Sequence, residues 1–254
     1  MARLGGKVAV ITGGGSGLGR AMAARFVAEG ASVLAVDVDE AAGKATIDAI
    51  GDPARAAFRR VDVTNEDDCA AAVAAAVERW GKLDIMMANA GIGAPGLIAQ
   101  LKKEDFERVV TVNLIGVFLC AKHSFRAMQG QGSGGSIIAT ASVAGLRGTP
   151  GLGGYGPSKA GVVQLVKTLA LEGARYNIRS NALCPVWTST PMVDAFISGA
   201  RADQETITKR LLGDIPLGRF GAPDDIAAAA VYLASDEASF ISGVAFPIDG
   251  AAMA

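Results

Sequence analysis

The stretch Thr12-Gly13-Gly14-Gly15-Ser16-Gly17-Leu18-Gly19 follows an apolar run of strand length, Val8–Thr12, and opens a helical pattern. Glycines at such a turn permit positive φ and let backbone N–H groups approach a phosphate closely. Asp37 stands 24 residues beyond Gly13, at the end of the next predicted strand. A carboxylate at this position can bind ribose hydroxyls and repel a 2′-phosphate, although an isolated aspartate can also simply start a turn. The spacing predicts a dinucleotide site for NAD rather than NADP.

The rest of the chain repeats the same alternation of strand-length apolar runs and helix-length amphipathic stretches. This pattern predicts βαβ units, a parallel sheet and helices on both faces. No Pro- or Ser-rich linker divides the chain, so we expect one domain over residues 1–254, with a doubly wound, Rossmann-like α/β fold of about seven strands. The predicted strands are Val8–Thr12, Ser32–Asp37, Ala56–Val61, Leu83–Asn89, Ser136–Thr140, Ile178–Leu183 and Val244–Ile248. The predicted helices are Gly19–Glu29, Ala41–Ile50, Asp67–Trp80, Lys103–His123, Tyr155–Tyr176 and Asp224–Ala234.

One segment, Pro191–Pro216, is too long for a plain connection between a strand and a helix. It mixes Met192, Phe196 and other apolar residues with charged ones. We expect a lid over a cleft at about 191–216, and a peripheral helical hairpin is the alternative.

Composition excludes several classes of protein. The 254 residues carry 24 basic and 25 acidic side chains without a basic run, so no nucleic-acid partner is expected. No apolar run approaches the roughly 20 residues that span a bilayer, so no membrane partner is expected. The three cysteines lack CxxC spacing and no signal segment is recognisable, which favours a cytoplasmic location. The single His123 cannot build a metal site, and no acidic cluster replaces it.

A tyrosine and a lysine four residues apart form the strongest catalytic candidate. Tyr155 and Lys159 share one face of a predicted helix, and Ser142 follows the fifth predicted strand. The pKa of a free tyrosine is about 10, and a nearby ammonium together with a cationic nicotinamide ring favours the phenolate. Tyr155 could then act as general acid or base near neutral pH, while Ser142 hydrogen-bonds the substrate oxygen.

Two further polar residues end strands at the same edge of the predicted sheet. Asp62 ends the third strand and Asn89 ends the fourth, within Asn89-Ala90-Gly91. Ligands bind beyond the carboxyl ends of strands in such sheets, so both are candidates for the cofactor site. As ordinary turn residues they would be unremarkable.

Taken together, these motifs resemble the short-chain dehydrogenase/reductase family, single-domain NAD-dependent branch, over essentially the whole chain. The matching elements are the loop Thr12–Gly19, Asn89-Ala90-Gly91, Asn113, Ser142, Tyr155-x-x-x-Lys159, Ser242-Gly243 and Asp249-Gly250. The resemblance implies a catalytic tetrad of Asn113, Ser142, Tyr155 and Lys159. It also implies that Lys159 holds the nicotinamide ribose, that Asn113 anchors a water, and that the enzyme is a homotetramer.

The resemblance and the strand edges together give a full set of expected contacts. The expected cofactor-binding residues are Gly13, Ser16, Gly17, Leu18, Gly19, Asp37, Asp62, Val63, Asn89, Ala90, Gly91, Tyr155, Lys159, Pro185, Thr188 and Thr190. The expected substrate contacts are Ser142, Val143, Leu152, Tyr155, Trp187, Met192 and Phe196.

The chain departs from the family pattern at three positions near the site. Ala88 replaces an Asn, Val186 replaces a Gly after Pro185, and Ala251 replaces the second Gly of an Asp-Gly-Gly motif. Val186 puts the local backbone in doubt, because a β-branched residue does not tolerate positive φ.

The apolar character of the expected pocket favours a small neutral secondary alcohol or ketone, whether cyclic, aromatic or aliphatic. A 3-oxoacyl thioester reductase is the main alternative. Such enzymes usually use NADPH, and Asp37 argues against that cofactor. A nucleotide-binding regulator without catalysis is the third hypothesis, and the presence of both Tyr155 and Lys159 argues against it.

Overall fold

Seven parallel strands form the central sheet, in a computed structural model that describes residues 2–199 and 203–254. The strands are β1 (Val8–Thr12), β2 (Ser32–Asp37), β3 (Ala56–Arg60), β4 (Ile85–Ala88), β5 (Gly135–Thr140), β6 (Ile178–Pro185) and β7 (Ala245–Ile248). Their order across the sheet is β3-β2-β1-β4-β5-β6-β7. This arrangement confirms the predicted doubly wound α/β fold.

Nine α-helices connect or follow these strands in the described part of the chain. They are α1 (Gly17–Ala28), α2 (Glu40–Ile50), α3 (Glu66–Trp80), α4 (Lys103–Val110), α5 (Gly116–Gln131), α6 (Tyr155–Gly173), α7 (Pro191–Ser198), α8 (Gln204–Gly213) and α9 (Pro223–Ala234). A π-helical stretch, Thr111–Ile115, joins α4 to α5 in one continuous helix, Lys103–Gln131.

Helices bury the sheet on both faces. On one face α3, α5 and α6 contribute Val73, Val117 and Val162 to the core. On the other face α1 and α9 contribute Phe26 and Ile226. All five residues of β1 are buried, which is why this strand is an apolar run without alternation.

The candidate binding crevice lies at the carboxyl edge of the sheet, between β1 and β4, where successive crossover connections change direction. β1 pairs with β2 on one side and with β4 on the other. The connections that leave β1 and β4 therefore run to opposite faces and open a crevice beyond the carboxyl ends of these strands. The glycine-rich loop and Asn89 both lie at this crevice.

Most element boundaries agree with the sequence pattern to within two residues. The helix predicted to end at Tyr176 ends at Gly173, and a 3₁₀ turn, Ala174–Tyr176, follows it. The helix predicted to end at His123 continues to Gln131, where Gly132 with φ 71° forms the left-handed cap. The strand predicted as Leu83–Asn89 is shorter, because its end residues bond to side chains instead of the ladder. The N–H of Leu83 donates to Gln131 Oε1 at 2.7 Å, and that of Asn89 donates to Thr12 Oγ1 at 2.9 Å.

Among the described residues one helix, Lys103–Gln131, is long and apolar enough to cross a membrane by length and composition. The core helix of a soluble protein passes the same test, and α5 buries Val117, Cys120 and Met128 against the rest of the fold. This helix is weak evidence for a membrane span.

Candidate active site

The glycine-rich loop crosses the carboxyl end of β1 and packs closely against the loop after β4. Gly13 and Gly17 have positive φ of 67° and 48°. A Cβ at Gly13 would lie 3.0 Å from atoms of Asn89 and Ala90, and a Cβ at Gly19 would collide with the backbone of Gly13. The loop thus requires glycine for its conformation and for its packing, and its backbone is left open to a ligand.

Thr12 fixes the loop after β4 to the end of β1. Its Oγ1 accepts hydrogen bonds from the N–H groups of Asn89 and Ala90, both at 2.9 Å. Asn89 Nδ2 donates to the carbonyl oxygen of Thr12 at 3.0 Å, and Asn89 Oδ1 accepts from Thr140 Oγ1 at 3.0 Å. The ends of β1, β4 and β5 are therefore held together beneath the crevice.

Asp37 ends β2 beside the glycine loop, as its spacing predicts. Its Oδ2 accepts a hydrogen bond from the N–H of Gly15, and its Oδ1 accepts one from the N–H of Asp39, both at 3.0 Å. These bonds fix the carboxylate at the rim of the crevice. The carboxylate can therefore bind a diol and resist a second negative group.

A cavity of about 350 Å³ extends from Asp37 to Tyr155 and Lys159. Thirteen of the sixteen expected cofactor residues line it, namely Gly13, Ser16, Gly17, Leu18, Asp37, Asp62, Val63, Asn89, Ala90, Gly91, Tyr155, Lys159 and Thr190. Gly19 lies behind the loop, and Pro185 and Thr188 line an adjoining cavity. The shape, the open glycine backbone and the acid at one end fit a nicotinamide dinucleotide.

Sequence reasoning missed several apolar members of this wall. They are Val36, Val38, Val61, Ile92 and Val112, together with Thr140 and Pro191. Most lie at or just beyond the carboxyl ends of β2 to β5, or follow the loop after β4. Their position at the carboxyl edge of the sheet could have identified them. Most of them have apolar side chains without a functional group, so nothing in the sequence distinguished them from ordinary core residues.

Tyr155 lines both this cavity and the adjoining one, and Lys159 lines the first. Lys159 is buried, and its Nζ donates to the carbonyl oxygen of Thr140 at 2.6 Å. The same Nζ lies 5.5 Å from the centre of the Tyr155 ring. Ser142 follows β5, and its Oγ accepts from the N–H of Ala144 at 3.1 Å and donates to the carbonyl oxygen of Pro185 at 3.4 Å.

Burial governs the protonation of both groups in the protein alone. It raises the pKa of Tyr155 above its usual value, although the Ser142 hydroxyl opposes this shift. It lowers the pKa of Lys159 to about 8. The expected lowering of the pKa of Tyr155 depends on the cationic nicotinamide ring as well as on Lys159, and in the protein alone burial is the larger effect.

The fourth expected tetrad member, Asn113, belongs to the π-helical stretch and is fully buried. Its Oδ1 accepts from the N–H of Ile92 at 2.8 Å, and its Nδ2 donates to the carbonyl oxygen of Ile92 at 3.0 Å. Asn113 therefore holds the loop after β4 from behind, and its side chain does not line either cavity.

A second cavity of about 480 Å³ adjoins the first at Tyr155. All the expected substrate contacts line it: Ser142, Val143, Leu152, Tyr155, Trp187, Met192 and Phe196. The rings of Trp187 and Phe196 lie 5.2 Å apart at an interplanar angle of 34°. They form an aromatic wall suited to a flat, apolar ring.

The wall of this second cavity also includes three charged side chains that sequence reasoning did not assign to the substrate. They are Arg108, Arg147 and Asp214. Arg108 pairs with Asp105 at 3.3 Å, and Arg147 donates to the carbonyl oxygen of Ala252 at 3.1 Å. No local motif marks these residues, because they come from α4, from the segment before Tyr155 and from the end of α8.

The departures from the family pattern are accommodated in different ways. Val186 is buried beside Val143 and Ile215 and does not have positive φ, so its β-branched side chain meets no backbone strain. Ala251 does have positive φ, at 73°. The replaced glycine therefore costs conformational strain near the end of the chain rather than at Val186.

Comparison with known proteins agrees with the geometry. Residues 13–251 match a family model described as enoyl-(acyl carrier protein) reductase. The chain is 40% identical to a 2,5-dichloro-2,5-cyclohexadiene-1,4-diol dehydrogenase of Sphingobium indicum, over 98% of each chain.

Two solved structures share the whole fold. The crystal structure of levodione reductase is 38% identical, with a TM-score of 0.94 and 98% of each chain covered. A 3-ketoacyl-(acyl-carrier-protein) reductase from Brucella melitensis, solved with NADH, is 39% identical with a TM-score of 0.90, covering 99% of this chain and 100% of that one. With its glycine loop, its tetrad residues and these similarities, the chain belongs to the short-chain dehydrogenase/reductase family.

Proposed function

We propose that this oxidoreductase transfers a hydride between NAD(H) and a small neutral cyclic secondary alcohol or ketone. The observation that carries the proposal is the position of Tyr155, which lines both the dinucleotide cavity and the apolar cavity. An acid/base group at this junction can reach a substrate oxygen while the reacting carbon faces the cofactor.

The side chains have separate parts in the oxidation of an alcohol. Tyr155, as phenolate, accepts the hydroxyl proton, and Ser142 donates a hydrogen bond to the same substrate oxygen. The nicotinamide ring, when bound, supplies the hydride acceptor. Lys159 stabilises the phenolate electrostatically, and Leu152 and Trp187 exclude water from the substrate side. In ketone reduction the same tyrosine donates the proton.

Specificity for NAD is part of the proposal. The nicotinamide cofactor follows from the family, and Asp37 supports the choice between its two forms because its fixed carboxylate would repel a 2′-phosphate. The related Brucella enzyme was solved with NADH, which is consistent with this preference.

Reduction of a 3-oxoacyl thioester is the second candidate, since the Brucella relative bears that activity in its name. Kinetics with a 3-oxoacyl-coenzyme A and with a cyclic ketone of similar reactivity discriminates the two. Because the aromatic wall of Trp187 and Phe196 suits a flat ring, we expect the cyclic ketone to have the higher kcat/KM.

The assembly and location belong to the proposal as well. We infer a homotetramer, supported by exposed apolar side chains on the helix Lys103–Gln131. We also infer a cytoplasmic location, which the three free and buried cysteine thiols support.

A panel of cyclic secondary alcohols, assayed by NAD reduction with wild type and Tyr155→Phe, tests the function. Tyr155→Phe should lower kcat by at least about 1000-fold while changing the Kd for NADH by less than about threefold, because the ring stays and only the hydroxyl is lost. Tyr176→Phe, the same change in the 3₁₀ turn that follows α6, is the matched control and should retain wild-type activity. Substantial turnover by Tyr155→Phe would sink the mechanism.

A further inference from the structure

Ser158 carries a buried hydroxyl on α6, and it precedes Lys159 directly in sequence. The residue is 1% exposed. Its Oγ donates a hydrogen bond to the carbonyl oxygen of Tyr155 at 2.7 Å and accepts one from Asn113 Nδ2 at 3.2 Å. This single hydroxyl therefore links the first turn of the helix that carries Tyr155 to the side chain of Asn113.

The side-chain amide of Asn113 also forms hydrogen bonds with the loop after β4. A primary amide has two N–H donors. Asn113 directs one to the carbonyl oxygen of Ile92 at 3.0 Å and the other to Ser158. Removing the Ser158 hydroxyl would leave a buried N–H without its acceptor, which is unfavourable unless the groups around it move.

We propose that Ser158 is a positioning residue that fixes Asn113 and the start of α6 against each other and so sets the placement of Tyr155 and Lys159. The inference rests on the proposed function, in which Tyr155 is the acid/base. Displacing a reacting group by about 1 Å can cost about 100-fold in rate. Loss of the hydrogen bond between Asn113 and Ser158 should therefore lower the rate of the chemical step more than it weakens the binding of NAD.

A matched control is needed to distinguish a positioning role of the Ser158 hydroxyl from a purely structural one. Ser124 on α5 provides this control. Ser124 is fully buried, and its Oγ donates to the carbonyl oxygen of Cys120 at 2.7 Å. It therefore makes the same kind of bond to its own helix as Ser158, but without a link to the site. Ser124→Ala reports the cost of losing a buried helix hydroxyl alone.

The test compares Ser158→Ala, Ser158→Thr and Ser124→Ala in the full-length enzyme with NAD and a cyclic alcohol. Ser158→Ala should lower kcat about 10-fold and leave the KM for NAD within about twofold. A less well-placed ammonium stabilises the phenolate less, so the apparent pKa in the kcat/KM profile of alcohol oxidation should rise. Ser158→Thr, which keeps the hydroxyl, should recover most of kcat. Ser124→Ala should lower Tm without changing kcat or the pH profile.

A double-mutant cycle decides whether Ser158 acts through Asn113, even if Ser158→Thr does not fold. Asn113→Ala combined with Ser158→Ala should lose little more activity than Asn113→Ala alone, and independent, additive losses would overturn the proposal. The proposal also fails if Ser158→Ala lowers Tm but leaves kcat and the pH profile unchanged while Tyr155→Phe is inactive. Activity in Tyr155→Phe would instead remove the proposed function itself.

Discussion

At the scale of single residues, the polar groups that carry the proposed chemistry are among the few that this fold buries. Asn113, Ser142, Ser158 and Lys159 are all buried, with Ser142 the most exposed at 8%. Burial strengthens the electrostatic influence of each group on its neighbours, since the local dielectric is low. The same burial costs free energy wherever a charge must be desolvated, so this site should be a source of instability in the free protein.

Lys159 is the clearest case of this cost. Burial lowers its pKa from 10.5 to about 8, so the folded chain binds the Lys159 proton less readily than the unfolded chain does. The penalty, about 3 kcal/mol in order of magnitude, is fully present below pH 8 and is relieved as the pH rises toward 10.5. Lys159→Met abolishes the titration. The free energy of unfolding of wild type minus that of the variant should therefore increase across this window, as measured by urea denaturation of the free proteins. A difference that does not change with pH would contradict the assignment.

We propose that Asp37 sets the choice between NAD and NADP through charge repulsion. We expect kcat/KM for NAD to exceed that for NADP by roughly 100-fold, since two negative groups a few ångströms apart near a protein surface repel by a few kcal/mol. Asp37→Ser should reduce this ratio. Asp39→Ser is the matched control, because Asp39 caps α2 and does not line the cavity. Equal efficiency of wild type with NADP would refute the role of Asp37.

At the scale of secondary-structure elements, those that neighbouring residues determine can be predicted from the sequence. The unit from β1 through the glycine loop to α1 is predictable, because its strand, its turn and its helix are each encoded by neighbouring residues. The π-helical stretch Thr111–Ile115 is not, because no pattern in the neighbouring residues marks it. In the fold, its Asn113 accepts a hydrogen bond from the N–H of Ile92, 21 residues earlier in the chain. The charged residues in the wall of the second cavity could not be predicted from the sequence either, because Arg108 and Asp214 are distant in the chain and line one cavity only in the folded protein.

The segment Pro191–Pro216 consists of α7 and α8 together with residues 200–202, which lie outside the described part of the chain. Its helical form agrees with a hairpin, while Met192 and Phe196 on α7 line the substrate cavity as a lid would. We expect hydrogen exchange across 191–216 to slow when NAD and a substrate bind, because few of its own side chains are buried. The buried helix α9 is the internal reference and should change little. Equal exchange with and without ligands would argue for a fixed wall.

At the scale of the whole molecule, one feature of the topology organises the site. Reversal of the crossovers between β1 and β4 opens the crevice for the dinucleotide, while β5 and β6 carry Ser142 and Trp187 to its far end. Side chains from distant parts of the chain therefore meet at one edge of one sheet. Because this edge depends on strand order rather than on any local motif, its complete lining becomes visible only in the folded chain.

Apolar side chains on the outer surface support assembly into a tetramer, and the two long helices, α6 and Lys103–Gln131, expose such side chains to different extents. On α6, Val162, Val163, Val166 and Leu169 are buried in the core, and Leu171 is the large apolar residue left exposed, at 83%. The helix Lys103–Gln131 instead leaves three large apolar side chains, Phe106, Ile115 and Phe118, each 37–45% exposed. Exposed apolar side chains on one element favour an interaction surface, so we expect this helix to form the main contact.

Light scattering should give a mass near four times 25.7 kDa for the wild type at working concentration. Phe118→Glu places a charge in the middle of the proposed contact and should shift the protein to smaller species, since burying an unpaired carboxylate is unfavourable. Leu217→Glu, at an exposed leucine outside both long helices, is the control and should leave the mass unchanged. A wild-type mass of 25.7 kDa would rule out the tetramer. Dissociation by Leu217→Glu but not by Phe118→Glu would move the contact away from this helix.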